Sequence, residues 1–206
     1  MNSIKNIVFD FGGVLIDWNP RYLYRNYFND DSEMEYFLSN VCTGEWNAEQ
    51  DKGRSFDEGV DLLEGRFPQY AEAIRMYRDG WESMLGGEFP DSVALLEKAK
   101  SRGYGVYGLT NWSAETFPIA ESKYPFLQLL DGIVVSGKER LAKPDPRIFR
   151  ILTERYGLKA EECIFIDDSR ANIEAAEKLG FNTVLFDNTG RVTRQVAALT
   201  GDPGLL

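Results

Sequence analysis

The 206-residue sequence predicts an α/β protein, a doubly wound parallel sheet with an inserted α-helical cap segment. Three observations predict it. After Pro90, short apolar runs alternate with helix-length amphipathic stretches, the rhythm of a parallel sheet covered on both faces. Between the first apolar run and Pro90 the apolar residues recur at helical spacing, and no convincing strand is present. The composition, 43% hydrophobic and 13% aromatic, is that of a packed globular protein large enough to stay folded without disulfides.

Taken in order, Asn6 to Asp10 reads as a buried strand, because Ile7, Val8 and Phe9 run together before Gly12-Gly13 forces a turn. The stretch from Asn19 to Gly87 reads as helical. Tyr22, Tyr24, Tyr27 and Phe28 mark one helix, Phe56, Val60, Leu63 and Phe67 a second, and Ile74, Tyr77, Trp81 and Leu85 a third. A helix over Asp91 to Arg102 and a strand over Tyr104 to Leu109 open the α/β part, and a further helix starts near Ser113. The strand Gly132 to Val135, the helix Asp145 to Tyr156 and the strand Glu162 to Asp167 follow. Next comes a helix from Arg170 to Leu179, stopped by Gly180. The strand Asn182 to Phe186 and the helix Arg191 to Leu199 complete the pattern.

The formal net charge of −10 repels phosphate backbones and anionic membranes, so neither nucleic acid nor a membrane is an expected partner. A phosphorylated small molecule needs local positive charge against this field: a lysine, a divalent cation, backbone N–H groups. Cys42 and Cys163 lie far apart and no disulfide framework is expected; Cys163, which opens the apolar run CIFI, is expected to be buried. No apolar run approaches the ~20 residues of a membrane span. The expected setting is cytoplasmic, as a monomer or homodimer.

In doubly wound sheets, ligands bind at the carboxyl ends of the strands, so the residues that follow each strand carry the functional reading. They are Asp10 in VFDFGGVL, Thr110 and Asn111 in YGLTNWS, Lys143 in RLAKPDP, and Asp167 and Asp168 in IFIDDSRAN. One Asp after one strand is an ordinary turn or cap residue. Carboxylates, a hydroxyl, an amide and an amine brought to one edge form a chemical set.

In these four motifs, in this order, the chain resembles the haloacid dehalogenase-like superfamily over essentially its whole length. The resemblance implies a Rossmann-like core over 1–16 and 88–206 and a helical cap over 17–87. It implies Asp10 as nucleophile, Thr110 as a phosphoryl-binding hydroxyl, and Lys143 as the group holding the nucleophile and the phosphoryl oxygens. It further implies Mg²⁺ as cofactor, held by Asp10, the Gly12 carbonyl and Asp168, with Asp167 a direct or water-mediated ligand. The chemistry is coherent. A carboxylate attacking phosphorus needs the negative charge of its target neutralised, and hard oxygen donors suit Mg²⁺.

One position departs from the pattern. Most phosphatases of this superfamily carry a second Asp two residues after the nucleophile, as general acid and base; here that residue is Gly12, and the chain has no histidine. Such a loss costs about 10²–10⁴-fold. Three readings remain open. One is a phosphatase with an easy leaving group or another acid, for which Asp17 is a candidate; a bacterial subgroup of small sugar 1-phosphate phosphatases is similar here. The second is a 2-haloacid dehalogenase, in which Asp10 displaces halide and needs neither acid nor metal. The third is a phosphate- or metal-binding module without turnover. In the cap, Trp46 and Asn47 after Gly44 are candidate substrate contacts, as are Asn111 and Trp112 beside Thr110. For Trp46 the stronger reading is a packing anchor, and for Arg140, otherwise a second phosphate contact, a solvated surface charge.

Overall fold

The computed structural model describes residues 3–206. Strands β1 (Asn6–Phe9) and β2 (Ile16–Trp18) precede the helices α1 (Arg21–Tyr24), α2 (Asp31–Asn40), α3 (Gly44–Asp51), α4 (Phe56–Arg66) and α5 (Ala71–Asp79). The chain continues through β3 (Leu85–Glu88), α6 (Pro90–Ser101), β4 (Gly105–Thr110), α7 (Phe117–Lys123) and β5 (Gly132–Val135). It closes with α8 (Ser136–Glu139), α9 (Pro146–Tyr156), β6 (Cys163–Asp167), α10 (Arg170–Lys178), β7 (Asn182–Leu185) and α11 (Val192–Thr200).

Five strands form one sheet in the order β5-β4-β1-β6-β7, with every neighbouring pair parallel. Successive side chains of a strand face opposite sides of the sheet, and the two cores divide accordingly. Ile7, Phe9, Ile164 and Ile166 join the core on one face, and Val8, Cys163 and Phe165 join the core on the other. That is why the sequences of β1 and β6 are apolar throughout instead of alternating. From β1 the chain order runs outward to β4 and β5 on one side and to β6 and β7 on the other. The reversal sits at β1, so the crevice for a ligand opens at the carboxyl end of that strand. Asp10 stands there.

The segment between β2 and β3 is built around aromatic rings. Tyr24 packs on Phe37 at 4.9 Å, Phe28 on Phe37 at 5.3 Å, and Trp46 on Tyr77 at 5.0 Å between ring centres. The Tyr24 hydroxyl donates to the Ala73 carbonyl at 2.8 Å, which satisfies the one polar group this buried ring carries. Two parts of the sequence reading need correction. The segment is flanked by an antiparallel pair, β2 with β3, where no strand was expected. The helix expected through Trp81 and Leu85 ends at Asp79, and Trp81–Met84 forms a 3₁₀ turn that leads into β3. Gly80 stands at the helix end, its N–H donating to the Met76 carbonyl at 2.8 Å. At Gly86 a side chain would strike the Tyr22 ring at 2.6 Å and the Asp17 carboxylate at 2.7 Å. A short strand containing two glycines carries little strand propensity. Helix α1 is also shorter than its aromatic run suggested, ending at Tyr24. Among the described residues, no helix is long and apolar enough to cross a membrane. Cys42 and Cys163 are buried and unpaired.

Candidate active site

Asp10 follows β1 directly, its backbone N–H donating to the Ile166 carbonyl of β6 at 2.9 Å. Its Oδ1 accepts the Phe11 N–H at 2.7 Å, which fixes the carboxylate's orientation. Lys143 reaches it from the loop between α8 and α9. The Lys143 Nζ lies 2.8 Å from Asp10 Oδ1 and 2.6 Å from Asp167 Oδ2, and the lysine side chain has no exposed surface. Lys143 is aimed by its own backbone: the Asn111 amide accepts its N–H at 2.8 Å and donates to its carbonyl at 3.0 Å. Asn111, expected on the substrate, thus spends both ends of its amide on the lysine loop, though it still lines the cleft.

The two aspartates after β6 have different environments. Asp167 is fully buried, and its oxygens are taken by Lys143, by the Asn172 amide at 2.9 and 3.1 Å, and by the Ser169 N–H at 2.8 Å. Asp168 is exposed to the cleft. Carboxylate oxygens of Asp10, Asp167 and Asp168 lie within 4.8 Å of one another. Three anions so close, answered by one ammonium, shift one another. Burial pushes the Asp10 carboxyl up to about 8 against the pull of Lys143, and the charges of Asp167 and Asp168 add to the rise. Burial and the Asp167 charge raise Asp168 as well. For Lys143, burial works to lower the ammonium, but the two carboxylates outweigh it and hold it above its ordinary value.

Gly13 lets the backbone pass beneath Asp168. Its φ is +80°, and a Cβ there would lie 2.3 Å from Asp168 Oδ2. Gly13→Ala is therefore expected to destabilise the protein by about 1–3 kcal/mol through the left-handed backbone alone, with Asp168 displaced; urea denaturation checks this. A wild-type-like midpoint would show that the turn relaxes freely. A Cβ at Gly12, by contrast, would meet nothing within 4 Å. Thr110, the last residue of β4, is fully buried, and its Oγ1 has no hydrogen-bond partner.

The cleft beside these groups has a volume of about 430 Å³. Trp18, Trp81 and Trp112 form its walls, and Asn47 and Asp51 reach it from α3. Trp112 and Trp81 pack together at 5.2 Å between ring centres. Helix α3 decides which of its residues arrive. Thr43 caps it, its Oγ1 accepting the Trp46 N–H at 3.1 Å. From that start, residues four apart share a face. Trp46 and Gln50 turn into the aromatic core, where the indole N–H donates to the Gly59 carbonyl at 3.1 Å. Asn47 and Asp51 turn to the cleft, joined by an Asn47 Nδ2 to Asp51 Oδ2 hydrogen bond of 3.1 Å. So the structure brings Asp10, Gly12, Asn47, Asn111, Trp112, Lys143 and Asp168 to one cleft, and it places Trp46 elsewhere. Asp17 is not among the cleft residues; its carboxylate accepts the Tyr22 hydroxyl at 2.6 Å. Sequence reasoning passed over Asp51, whose signal was its spacing of four from Asn47.

Known proteins resemble this chain in sequence and fold. A drimenol cyclase from Aspergillus calidoustus is 26% identical over 203 residues, covering 97% of this chain and 37% of that protein. A sesquiterpene phosphatase from Aspergillus oryzae is 27% identical over 180 residues, 86% of this chain and 87% of its own. An (S)-2-haloacid dehalogenase from Burkholderia cepacia is 33% identical over 102 residues, half of this chain and 44% of that one. The chain therefore spans less than half the length of the cyclase and of the dehalogenase. Among solved structures, a haloacid dehalogenase family enzyme from Bacteroides thetaiotaomicron, in complex with magnesium and inorganic phosphate, superposes with a TM-score of 0.67. It is 25% identical, and the match covers 90% of this chain and 96% of that one. Residues 4–180 match the haloacid dehalogenase-like hydrolase family, and the chain belongs to that family.

Proposed function

We propose that this hydrolase is a magnesium-dependent phosphatase that cleaves a small phosphate monoester, such as a sugar phosphate, through an aspartyl-phosphate on Asp10. The observation that carries the reading is the Asp10, Asp167 and Asp168 cluster, which among the described residues has only Lys143 paired against it. A displacement at carbon that expels halide needs no such surplus of negative charge. A phosphoryl reaction at a cation does.

The donor set fits magnesium: carboxylate oxygens of Asp10 and Asp168 and the carbonyl of Gly12, all hard ligands, with room in the cleft for water. Asp167, with both oxygens engaged, acts on this reading through Lys143 or a water. Bound there, the cation would neutralise charge on the phosphoryl oxygens and favour the ionised form of Asp10. The chain supplies the rest. Lys143 draws phosphoryl charge towards Asp10. Thr110, whose hydroxyl has no partner, is fully buried and does not line the cleft. On this reading its contact with a phosphoryl oxygen requires the substrate to penetrate to it. An oxygen of Asp10 attacks phosphorus, the leaving oxygen departs on the opposite side, and water then cleaves the aspartyl-phosphate. The helical segment, 17–87, serves as a cap over a core of 1–16 and 88–206, and its closure keeps bulk water out. The tryptophan walls suit the flat face of a sugar ring or an apolar chain, and similarity to a sesquiterpene phosphatase supports testing both.

The test is a panel of sugar phosphates, prenyl phosphates and 2-chloropropionate, each with Mg²⁺ and with EDTA, assayed for phosphate and halide. Phosphate release abolished by EDTA is the expected result. Halide release that ignores EDTA would make the protein a dehalogenase, as its similarity to one allows. Neither product would favour a binding module. On the same assay, Asp168→Ala is expected to raise the magnesium concentration for half-maximal turnover by about 10–100-fold. An unchanged magnesium dependence would remove Asp168 from the metal site.

A further inference from the structure

Gly12 leaves the proposed reaction without a proton donor from the core, and the cleft shows where one stands. The phosphoryl group sits against Asp10 at the floor, at the end of the sheet. In-line displacement sends the leaving oxygen directly away from the attacking one, and so towards the cap side of the cleft. Asn47 and Asp51, at the end of α3, reach the cleft from that side. Of the two, only Asp51 can carry a proton to an oxygen.

Resting on the phosphatase reading, we infer that Asp51 is the general acid and base of the reaction, supplied by the cap in place of the residue missing at Gly12. In the first step the Asp10 oxygen bonds to phosphorus, the bond from phosphorus to the leaving oxygen breaks, and the Asp51 carboxyl gives that oxygen its proton, releasing an alcohol. In the second, water enters from the vacated side and gives a proton to the Asp51 carboxylate as its oxygen bonds to phosphorus. The bond to Asp10 then breaks, and phosphate leaves. Asp51 returns to its starting form, and the sum is ester plus water giving alcohol plus phosphate.

The structure holds Asp51 for this role from two sides. Asn47 donates to Oδ2 at 3.1 Å, and the Asp51 carbonyl accepts the Ser136 hydroxyl. Ser136 is itself fixed by the Trp112 N–H, which donates to it at 2.8 Å. A residue of the cap is thus tied to the core beside the substrate walls. Asp51 opens only partly on the cleft, and burial pushes its carboxyl up to about 7 against the stabilising Ser113 N–H. Such a group serves as acid and base near neutrality.

Asp168 opens on the same cleft as Asp51, and other charged groups around Asp51 are engaged elsewhere. Across the cleft, Lys143 is held by Asp10 and Asp167. Behind Asp51 stands Tyr77 of α5, a neutral phenol held far above its ordinary value by burial. On α8, which packs against α3, Lys138 lies over the Phe117 ring and Glu139 pairs with Arg155. On its own side, Lys52 pairs with Glu49, and Arg54 binds Gln50 and the Trp46 carbonyl.

The test compares Asp51→Asn with the wild type, in Mg²⁺, on p-nitrophenyl phosphate and benzyl phosphate. These esters present similar rings to the tryptophans but differ in how much the leaving oxygen needs a proton. Phosphate release by the wild type from either ester is the requirement of the phosphatase reading; release from neither overturns that reading and this inference together. Given release, Asp51→Asn is expected to lose about 10²–10⁴-fold in kcat/KM on benzyl phosphate and less than about ten-fold on the nitrophenyl ester. The wild-type fall in benzyl phosphate cleavage above about pH 7 should disappear in the variant. Asp51→Glu should recover part of the loss. So should Gly12→Asp placed in the Asp51→Asn background, since a side chain at Gly12 has open space. Equal losses on the two esters, with an unchanged pH profile, would overturn the inference while leaving the phosphatase reading standing, and would make Asp51 a structural or binding residue.

Discussion

Asp10→Asn is expected to lower turnover on the order of 10⁴–10⁶-fold, as removal of a nucleophile does in enzymes of covalent mechanism. An amide has the size of the carboxylate but not its nucleophilic oxygen. The fold should survive, because the amide oxygen can still accept the Phe11 N–H that Asp10 Oδ1 accepts at 2.7 Å. Lys143 also keeps Asp167 at 2.6 Å. Burial already pushes the Asp10 carboxyl up to about 8, so an uncharged group there relieves a desolvation cost. The expected observation is phosphate release at background level with an unfolding midpoint equal to or above the wild type. Turnover that survives the substitution, with or without magnesium, would remove Asp10 from the mechanism.

Lys143→Met should be the most destabilising of the site substitutions. The lysine side chain has no exposed surface and separates Asp10 from Asp167, itself fully buried. Removing it leaves two carboxylates side by side in a dry site, a cost of about 3–5 kcal/mol for a broken buried ion pair. The loss carries a pH signature through Asp10. Its pKa is raised in the folded state even with Lys143 present, and losing the lysine removes the one attraction that opposes the rise. Between the unfolded carboxyl's pKa, about 4, and that raised value, the folded protein holds a proton that the unfolded chain has released. The wild type thus already loses stability as pH rises through this window, and the variant, with Asp10 raised further, goes on losing it above about pH 8. The variant should be closest to wild type near pH 5 and furthest from it above pH 8, by urea denaturation at both. A deficit that does not change between the two would mean that Lys143 contributes packing, not charge.

How much of this was legible beforehand depended on the kind of residue. Asp10 and Asp168 were readable because a buried strand is a run of apolar residues, and the polar residue that follows it must emerge at the sheet edge. The parallel register of β1 with β4 and β6 then makes those ends neighbours. Lys143 follows no strand directly but comes from the loop between α8 and α9, and its place was implied by the resemblance. The β2–β3 pair was not readable, because Ile16–Trp18 is three residues long and its partner strand contains Gly86 and Gly87. The close approach of Tyr22 and Asp17 leaves no room for a side chain at Gly86, and both residues are far away in the chain from that glycine. The contrast between Asp167 and Asp168 was equally hidden. The letters are the same, yet Asp167 has Lys143, Asn172 and Ser169 around it and Asp168 has the cleft.

Helix α3 shows the same division within eight residues. Trp46 and Asn47 were both candidate contacts, and only Asn47 reaches the cleft, because the aromatic core formed with Tyr77 and Phe56 takes the Trp46 face of the helix. Asp51 comes to the cleft on that same rotation. By itself, the sequence determined the five strands of the main sheet in their chain order, the residues that follow them and the absence of a second aspartate at Gly12. These follow from local properties: apolar periodicity, turn residues and identity. The tertiary structure alone decided which carboxylate is free, which tryptophans wall the cleft and which acid faces the floor. Those depend on the rotation of a helix against a core assembled from distant parts of the chain, and on burial, which no residue carries in its own letter.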